Sequence, residues 1–544
     1  MRSVLLVVPL IFVLGSAGCS ESSRSLNAPD PAAESPGGKS SPSPKPSPPG
    51  GSAPGDQPPK EQKPGQDASG TKPAGGEKAA GTWQVVFRLG PGRTLWPGGK
   101  EPPRGDLGTR RFGIDWPDFL GPHRDNKSPE RGLPRRWPSG GPPLVWSCSL
   151  GDGYPAPSVA RGRIYLFSQY GTTVRLSCRR SETGEELWRF EYPSHYQDLY
   201  GYDNGPRCTP VVDGNRVYLL GAEGMLHCLE AESGKPLWRL DTAKRFGVVQ
   251  NFFGVGSTPV VEGDLLLVQV GGSPPEDQNV PPGQLDLVHP NGTALVALDK
   301  RTGQVKWATG DELASYASPV VRTLGGKRRC LLFARGGLLG VEVPEGRVWF
   351  HFPWRAPILE SVNAATPVVV GQEVFLSETY GPGSVLLSLK GKQPQVLWSD
   401  AQRQRDKAMQ CHWATPIYHQ GYLYGCSGRH TGTADLRCIQ WKTGRVMWRK
   451  KRTTRCSLLY VDEHLVVLGE YGDLMLLRAT PERFELVQHW LLEDPREPGR
   501  PLLRYPAWAA PVLSHGLLYL RGQGRLVCLE LIPRPSRQQT PLSP

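Results

Sequence analysis

The sequence has 544 residues, of which 65 are glycine and 55 are proline. Both residues interrupt helix interiors, so this composition excludes a coiled coil or a mostly helical bundle. The 16 Trp, 17 Tyr and 14 Phe need a core to bury them, which excludes a fully disordered chain. The formal net charge of +13 is spread along the chain, and we interpret it as a solubility feature rather than a nucleic-acid site.

Residues 1–19 have the features of a bacterial export signal. The apolar stretch 4–14 is too short to span a bilayer, and small residues follow it. Residues 16–19 read Ser-Ala-Gly-Cys, which resembles the lipobox of bacterial lipoproteins, although Ser16 stands where that family usually has Leu. The resemblance implies lipidation of Cys19, which would hold the protein on a membrane. The alternatives are an ordinary cleavable signal and a short uncleaved anchor.

Residues 20–82 are predicted to be a disordered tether rich in Pro, Gly and Ser. From Asn27 to Thr82 there is no Val, Ile, Leu, Met, Phe, Tyr or Trp, so this stretch cannot bury a core. Residues 83–136 form a lead-in that is only partly placed by the sequence. The folded body is expected at 137–533, and a disordered tail at 534–544.

The body is an internal repeat of four short strands. The unit at 209–241 shows apolar runs separated by turns of Gly, Asp and Asn, which is typical of successive hairpins. Seven units begin with a proline after a small residue, and in an eighth unit Cys456 stands in that place. The seven prolines are Pro157, Pro210, Pro259, Pro319, Pro367, Pro416 and Pro511.

A tryptophan follows seven of the eight unit starts, an eighth precedes the first unit, and these residues are expected to wedge between neighbouring sheets. These residues are Trp146, Trp188, Trp238, Trp307, Trp349, Trp398, Trp448 and Trp490. Their spacing is 42 to 50 residues, apart from one interval of 69 where residues 274–291 are inserted. This period is typical of the blades of a β-propeller.

The fold class predicted from these landmarks is all-β, an eight-bladed propeller of four-stranded antiparallel blades. Trp146 precedes the first unit, whereas the last unit, which starts at Pro511, has no tryptophan after it. We therefore expect the N-terminal strand around Trp146 to complete the last blade. Such closure fastens the ring and removes an exposed sheet edge.

One copy of the repeat carries a family motif. Residues 297–307 read Ala-Leu-Asp-Lys-Arg-Thr-Gly-Gln-Val-Lys-Trp, weaker copies end at Trp188, Trp238 and Trp448, and residues 116–125 resemble the lead-in of BamB-like proteins. The chain thus resembles the pyrroloquinoline-quinone-like (PQQ-like) repeat family. That family includes quinoprotein alcohol dehydrogenases and BamB, the lipoprotein of the outer-membrane β-barrel assembly machinery. The resemblance implies the fold, whereas the activity must be argued from the site.

The leading functional interpretation is a non-catalytic binding or scaffold protein of the cell envelope, similar to BamB. It would be an exported, membrane-anchored monomer at the periplasmic face, and its partners would be envelope proteins or polymers. The first alternative is a PQQ-dependent oxidoreductase with a bound Ca²⁺. The family's enzymes hold PQQ against a disulfide of adjacent cysteines, and this sequence has no adjacent cysteines. Glu360 with Asn363, and Asp203 with Asn204, are isolated candidates for cation ligands, so we predict no catalytic, cofactor or metal residues.

The second alternative is a glycan or peptide binder that uses an aromatic-lined face. Several units place an aromatic residue or an arginine three positions before the starting proline. These residues are Tyr154, Arg207, Tyr316, Trp413 and Trp508. Equivalent positions on successive blades form a ring around the axis, which would make a funnel for a ligand. The other interpretation of these residues is packing between blades.

Overall fold

The computed structural model describes residues 92–534 of the chain. Within that range, eight sheets of antiparallel strands follow one another in a ring, so the predicted eight-bladed all-β propeller is confirmed. No helix between residues 92 and 534 is long and apolar enough to cross a membrane. Several predicted segments lie outside the described residues: the export signal 1–19 with Cys19, the tether 20–82, the lead-in from 83 to 91 and the tail from 535.

Each blade is a meander of four strands, and the first strands of neighbouring blades contact one another around the axis. Blade 1 consists of Ser158–Ala160, Arg163–Tyr170, Thr173–Arg180 and Glu186–Pro193. Blade 2 consists of Val211–Asp213, Arg216–Leu220, Met225–Glu230 and Pro236–Asp241. Blade 3 consists of Val260–Glu262, Leu265–Gln269, Leu295–Asp299 and Val305–Thr309. Blade 4 consists of Val320–Leu324, Lys327–Phe333, Gly337–Glu342 and Arg347–Pro353. Blade 5 consists of Val368–Val370, Glu373–Glu378, Gly383–Ser388 and Gln395–Ser399. Blade 6 consists of Ile417–His419, Tyr422–Ser427, Asp435–Gln440 and Val446–Lys451. Blade 7 consists of Cys456–Val461, His464–Gly469, Asp473–Arg478 and Leu486–Leu491.

Blade 8 joins the two ends of the ring, as the sequence predicts. Its strands Val512–Ser514, Leu517–Gly522 and Arg525–Glu530 come from the C-terminal part of the chain. The outer strand is Leu144–Ser149, which pairs antiparallel with Arg525–Glu530. Closure by the N-terminal strand is therefore confirmed.

Segments outside the repeat extend two of the blades. Arg93–Leu95 pairs antiparallel with the outer strand of blade 1, and Lys127–Ser128 pairs parallel with the inner strand of blade 7. The remaining elements are the hairpin Glu493–Asp494 and Glu497–Pro501, the α-helix Thr242–Phe246 and the 3-10 turns Pro97–Gly99, Pro275–Asn279 and Leu285–Leu287.

Neighbouring blades are joined by a row of three side chains that crosses the sheet. In blade 8, Cys528 stands between Tyr519 and Trp146 on the adjacent strands. The Tyr519 hydroxyl and the Trp146 indole N–H both donate to the carbonyl of Ser181 in blade 1, over 3.0 and 2.9 Å. A Cβ at Gly184, in the same turn of blade 1, would lie 2.7 Å from the Trp146 ring. The indole therefore needs glycine in the next blade.

The same row recurs between blades 2 and 3, where Tyr218, Cys228 and Trp238 are aligned. Tyr218 and Trp238 donate to the carbonyl of Lys300, over 3.0 and 3.2 Å. Gly303 has a φ of +73°, and a Cβ there would lie 2.6 Å from the Trp238 ring. The small buried cysteine leaves room for the two flanking rings, which gives it a packing role.

The other blade junctions follow this rule in three cases and differ in three, one of which is Trp448, whose indole N–H donates to the Thr480 carbonyl over 2.8 Å. Further indole–glycine contacts pair Trp188 with Gly234, Trp307 with Gly346 and Trp398 with Gly444. The Trp349 ring instead lies beneath the Arg329 guanidinium of its own blade, 3.5 Å from the ring centroid. Trp490 packs edge-on against Trp137, with ring centroids 5.6 Å apart.

Residues 112–130, here called the axial segment, run across the inner ends of the blades. Trp116 pairs with Val159 in blade 1 through two backbone hydrogen bonds of 2.8 Å. The Pro117 carbonyl accepts a hydrogen bond from the Val212 N–H of blade 2, also at 2.8 Å. The first half of the axial segment is therefore fixed to the inner strands of two blades.

The second half of the axial segment reaches the blades on the other side of the ring. In blade 4, Arg322 donates to the carbonyl of His123 over 2.8 Å. In blade 7, the Tyr460 N–H donates to the carbonyl of Asn126 over 3.0 Å. Because it bonds to inner strands on both sides, the axial segment fills the centre of the ring.

His515 of blade 8 fastens both ends of the axial segment. Its Nε2 lies 3.1 Å from Asp115 Oδ1, and its Nδ1 lies 2.7 Å from the carbonyl oxygen of Phe112. Both partners are acceptors, so only the doubly protonated imidazolium satisfies both. The hydrogen bond to Asp115 raises the pKa of His515, burial opposes this, and the Phe112 carbonyl adds to the rise. At the other end of the axial segment, the buried Glu130 carboxylate accepts a hydrogen bond from the backbone N–H of His515 over 2.9 Å.

We expect Gly303→Ala to lower the free energy of unfolding by about 2–4 kcal/mol, because the new methyl meets the Trp238 ring and the backbone keeps a positive φ. Gly263→Ala is the matched control in the same blade, since Gly263 has a φ of +57° and open space around its Cβ position. It should lose only about 1 kcal/mol from the backbone term. Urea unfolding measures the free energy of unfolding of both variants. Equal decreases for Gly303→Ala and Gly263→Ala would contradict a role of the indole–glycine contact in stability.

We expect the Asp115–His515 pair to stabilise the fold at acidic and neutral pH. A raised pKa means that its contribution is complete below the ordinary value of 6.5 and is lost as pH rises through the folded-state pKa. Asp115→Asn should therefore destabilise by about 0.5–1 kcal/mol at pH 6, and the difference from the wild type should shrink by pH 9. Asp264→Asn, at an exposed ion pair with Arg301, is the control without this pH dependence. A constant difference between pH 6 and 9 would contradict the prediction.

Candidate functional site

The five residues predicted to form a ring line one cavity of about 540 Å³. They are Tyr154, Arg207, Tyr316, Trp413 and Trp508, and all are half-buried. Each stands three residues before the proline that precedes the inner strand of its blade, so the order of the blades places them around the axis. Gly256 and Ala364 hold the same position in blades 3 and 5 and also line the cavity. The ring geometry is present, whereas its use in binding stays a prediction.

The axial segment forms the floor of the cavity through Phe119, Leu120 and Asn126. Leu120 and Asn126 have positive φ angles of 62° and 55°, which fold the segment back on itself. Small residues next to the inner strands complete the floor: Ala156, Thr209, Ala414, Thr415, Ala509 and Ala510. The axial segment therefore gives the cavity a closed end.

The aromatic residues of the wall contact one another across blades. The Trp508 ring centroid lies 5.0 Å from that of Tyr154 and 5.1 Å from that of Trp413. On the other side of the cavity, Tyr316 lies 5.6 Å from Phe253, and its hydroxyl accepts the Phe253 N–H over 2.9 Å. The two interpretations of these residues are thus compatible, because the same rings pack between blades and line the cavity.

Arg455 holds two of the indoles in place. Its guanidinium lies 5.0 Å from the Trp413 ring centroid and 4.9 Å from that of Trp508. Behind it, the fully buried Glu470 carboxylate forms a 2.7 Å ion pair with Arg455 and accepts the Trp508 indole N–H over 3.1 Å. Burial raises the pKa of Glu470, but the hydrogen bonds from Arg455, Trp508 and Thr431 together outweigh burial and hold that pKa below its ordinary value. Glu470 therefore stays ionised and holds Arg455 and Trp508 in position in the wall.

Arg207 is held in a similar way by an acidic loop. It forms an ion pair with the buried Asp198, and its guanidinium lies 5.7 Å from the Tyr154 ring centroid. Asp203 and Asn204, one of the candidate pairs for a cation, serve this loop. Asp203 accepts backbone N–H groups of two glycines, and Asn204 accepts the Asp198 N–H over 2.9 Å. These side chains satisfy turns, which fits turn chemistry rather than a cation site.

His412 and Tyr380 are the polar pair of the wall, with His412 Nε2 3.2 Å from the Tyr380 hydroxyl. Burial lowers the pKa of His412 to about 3, and the nearby guanidinium of Arg455 adds to this effect. Burial also raises the pKa of Tyr380 to about 12. Both groups are neutral near pH 7, and His412 Nδ1 is buried without a hydrogen-bond partner in the described part of the chain.

Arg429 is the exposed cation at the mouth of the cavity. Its guanidinium lies 5.0 Å from the Tyr380 ring centroid, and its Nε donates to His430 Nε2 over 3.1 Å. Among the described residues that line the cavity, none is Asp or Glu. The lining of the cavity therefore presents cations and aromatic rings, while carboxylates lie behind Arg207 and Arg455.

Sequence reasoning missed several residues of the wall: Tyr202, Phe253, Tyr380, Arg429, Arg455 and Tyr505. Most of them come from loops between strands or blades that share no register, so the repeat carries no signal for them. Arg455 is the exception. It directly precedes Cys456, which takes the proline place, so alignment of the units would have put it at the cavity.

The donor set does not fit the Ca²⁺ and PQQ of the oxidoreductase alternative. Calcium needs several convergent oxygen ligands, and the cavity lining contains no carboxylate. The Asn363 amide, another candidate ligand, donates to the carbonyls of Ala334, Arg335 and Trp354 and is thereby committed to its loop. Residues 92–534 contain no cluster of three or more His, Cys, Asp or Glu that could hold a metal ion.

Comparison with known proteins finds relatives and solved structures to which this chain is similar. BamB of Shewanella oneidensis, an outer membrane protein assembly factor, is 23% identical over 381 residues, which cover 62% of this chain and 89% of the relative. The structure of BamB from Moraxella catarrhalis has 12% identity and a TM-score of 0.48, covering 71% of this chain and 97% of that one. Quinohemoprotein alcohol dehydrogenase from Comamonas testosteroni has 12% identity and a TM-score of 0.44, covering 78% and 81%.

The family model described as outer membrane protein assembly factor BamB matches residues 174–381 and 345–482. Together these stretches span more than half of the 544 residues. The chain belongs to the PQQ-like propeller family of the outer membrane protein assembly factor BamB.

Proposed function

We propose that this chain is a non-catalytic binding propeller of the cell envelope that engages its partner at the cavity. The observation that supports this most is the state of the polar groups in the wall. A general base works best with a pKa near the working pH. His412 has a pKa of about 3 and donates or accepts only as a neutral ring, and the Tyr380 hydroxyl keeps its proton to about pH 12.

The charged groups of the cavity support the same proposal. Glu470 and Asp198 are each paired with an arginine, so neither carboxylate is available to take a proton from a bound molecule. The arginines in turn are held against aromatic rings. These groups are arranged to keep the shape of the wall, which suits recognition rather than bond cleavage.

The envelope location rests on the family and on the N-terminal sequence. The relatives are named for assembly of outer membrane proteins. The export signal and Cys19 would place this chain in the same compartment, held by a lipid at the end of the tether 20–82. The proposed partners are envelope proteins or polymers, bound by a monomeric propeller.

We expect a photocrosslinking amino acid at Tyr202 to capture a protein or glycan of the native envelope. Tyr202 is 62% exposed at the cavity mouth. Leu237, 44% exposed on the outer strand of blade 2, is the matched control position and should give little adduct. Gel shifts after irradiation measure both. Equal labelling from the two positions would contradict binding at the cavity.

We also expect the purified protein to show no dye-linked alcohol oxidation after addition of PQQ and Ca²⁺. The reason is the absence of carboxylate donors in the cavity lining. Turnover above that of a sample without PQQ would overturn the non-catalytic assignment and restore the oxidoreductase alternative.

A further inference from the structure

We infer that the cavity receives a segment of a partner polypeptide, which inserts one aromatic or branched apolar side chain toward the axial segment and sets a carboxylate against Arg429. This inference rests on the proposed function and specifies the class of ligand. It is carried by the composition of the wall, its rigidity, the depth of the cavity and the charge of Arg429 at its mouth.

The residues around the mouth are those that dominate binding energy in protein–protein contacts. Trp, Tyr and Arg are enriched at such positions, whereas Lys, Asp and Glu are depleted. Trp413, Trp508, Tyr202, Tyr505 and Arg429 line the cavity, and no Lys, Asp or Glu is among the described lining residues. Tyrosine and tryptophan also give a large contact area while fixing few rotatable bonds.

The wall is already ordered before any partner arrives. Arg455 packs against both Trp413 and Trp508, and the ion pair with Glu470 fixes its position. This contact supports both indoles in the wall of the cavity. Tyr505 is held in turn by ring contact with Trp508, with centroids 5.9 Å apart. A preformed wall avoids part of the ordering cost of binding.

The depth of the cavity comes from small residues. At the ring position, blade 5 has Ala364 where other blades have Tyr or Trp, and this opens the cavity on that side. Gly256 leaves no comparable opening in blade 3, because Tyr316 fills the space beside it, 2.7 Å from the ideal Cβ position. The volume of about 540 Å³ is in the range of sites that bury a compact ligand or a few side chains.

The charge at the mouth selects the rest of the segment. Arg429 is exposed, and no lining residue among those described offers it a carboxylate. A guanidinium binds a carboxylate through paired N–H groups. The partner segment should therefore carry an Asp or Glu side chain, or a terminal carboxylate, beside the inserted side chain.

The test is fluorescence polarisation of the purified protein with labelled heptapeptides of the sequence Gly-Gly-Asp-X-Asp-Gly-Gly. We expect peptides with Phe, Tyr, Trp or Leu at X to bind, and replacement of X by Ala or of both Asp by Asn to weaken binding roughly tenfold. Absence of binding below about 1 mM for every apolar X would overturn the inference.

Two pairs of variants locate the binding. Ala364→Phe fills the cavity and should abolish peptide binding, whereas Ala401→Phe, at an exposed turn, should leave it unchanged. Arg429→Ala should weaken binding roughly fivefold, whereas Arg445→Ala, at an exposed position just before the outer strand of blade 6, should not. Circular dichroism checks that the variants fold. Undiminished binding by folded Ala364→Phe would overturn the assignment to this cavity.

A glycan is the competing occupant, and the same assay includes it. If N,N′-diacetylchitobiose displaces the peptide while the identity of X has no effect, the cavity is a sugar site and the inference is wrong. If the Tyr202 crosslink forms but no peptide binds, the ligand is not a polypeptide of this kind, and the proposed binding function still holds. If neither the crosslink nor peptide binding is observed, both the proposed function and this inference are wrong.

Discussion

An indole ring lying over a glycine of the next blade is the contact on which the ring depends. Trp146 over Gly184 and Trp238 over Gly303 set how closely adjacent sheets approach. Tyrosine and indole groups then bond to a carbonyl in the same turn of the next blade, which fixes the sheets in rotation as well as in distance. Eight blades close a ring only if their angles agree, and this contact sets the approach of the sheets at five of the eight junctions.

The centre of the ring is wide enough to hold the axial segment. Propellers of this kind leave a channel where the inner strands meet. Here residues 112–130 occupy it and bond to inner strands on both sides of the ring. The channel becomes a blind cavity whose floor belongs to the lead-in and whose wall belongs to the blades. Recognition at this site therefore depends on two parts of the chain that the repeat alone does not connect.

Much of the ring was predictable because its rules are local. The prolines before the inner strands, the turns and the tryptophans each repeat, and their count required Trp146 to join the last blade. The position three residues before the proline gave five members of the wall for the same reason. The axial segment was not predictable, since residues 116–125 could be matched to a family pattern without any sign of where they lie. Tyr380 and Tyr505 were missed because blade loops differ in length and carry no common register.

The support behind the wall was also beyond sequence reasoning. Glu470 serves Arg455 and Trp508 only because the turns of blades 7 and 8 bring them together. Nothing in the spacing of these residues marks a buried carboxylate as the partner of a guanidinium that packs against two indoles. Such relations arise from tertiary packing, and they decide whether aromatic side chains stay open or collapse.

Ring closure by Leu144–Ser149 has a consequence for how the chain matures. Its partner strand, Arg525–Glu530, lies at the far end of the described chain, and pairing over such a separation is slow to nucleate. While the polypeptide is being delivered, seven blades can assemble before the eighth has all its strands. An incomplete ring exposes unpaired edges that invite aggregation or proteolysis. The ring can therefore close only after the strand Arg525–Glu530 is available to pair with Leu144–Ser149.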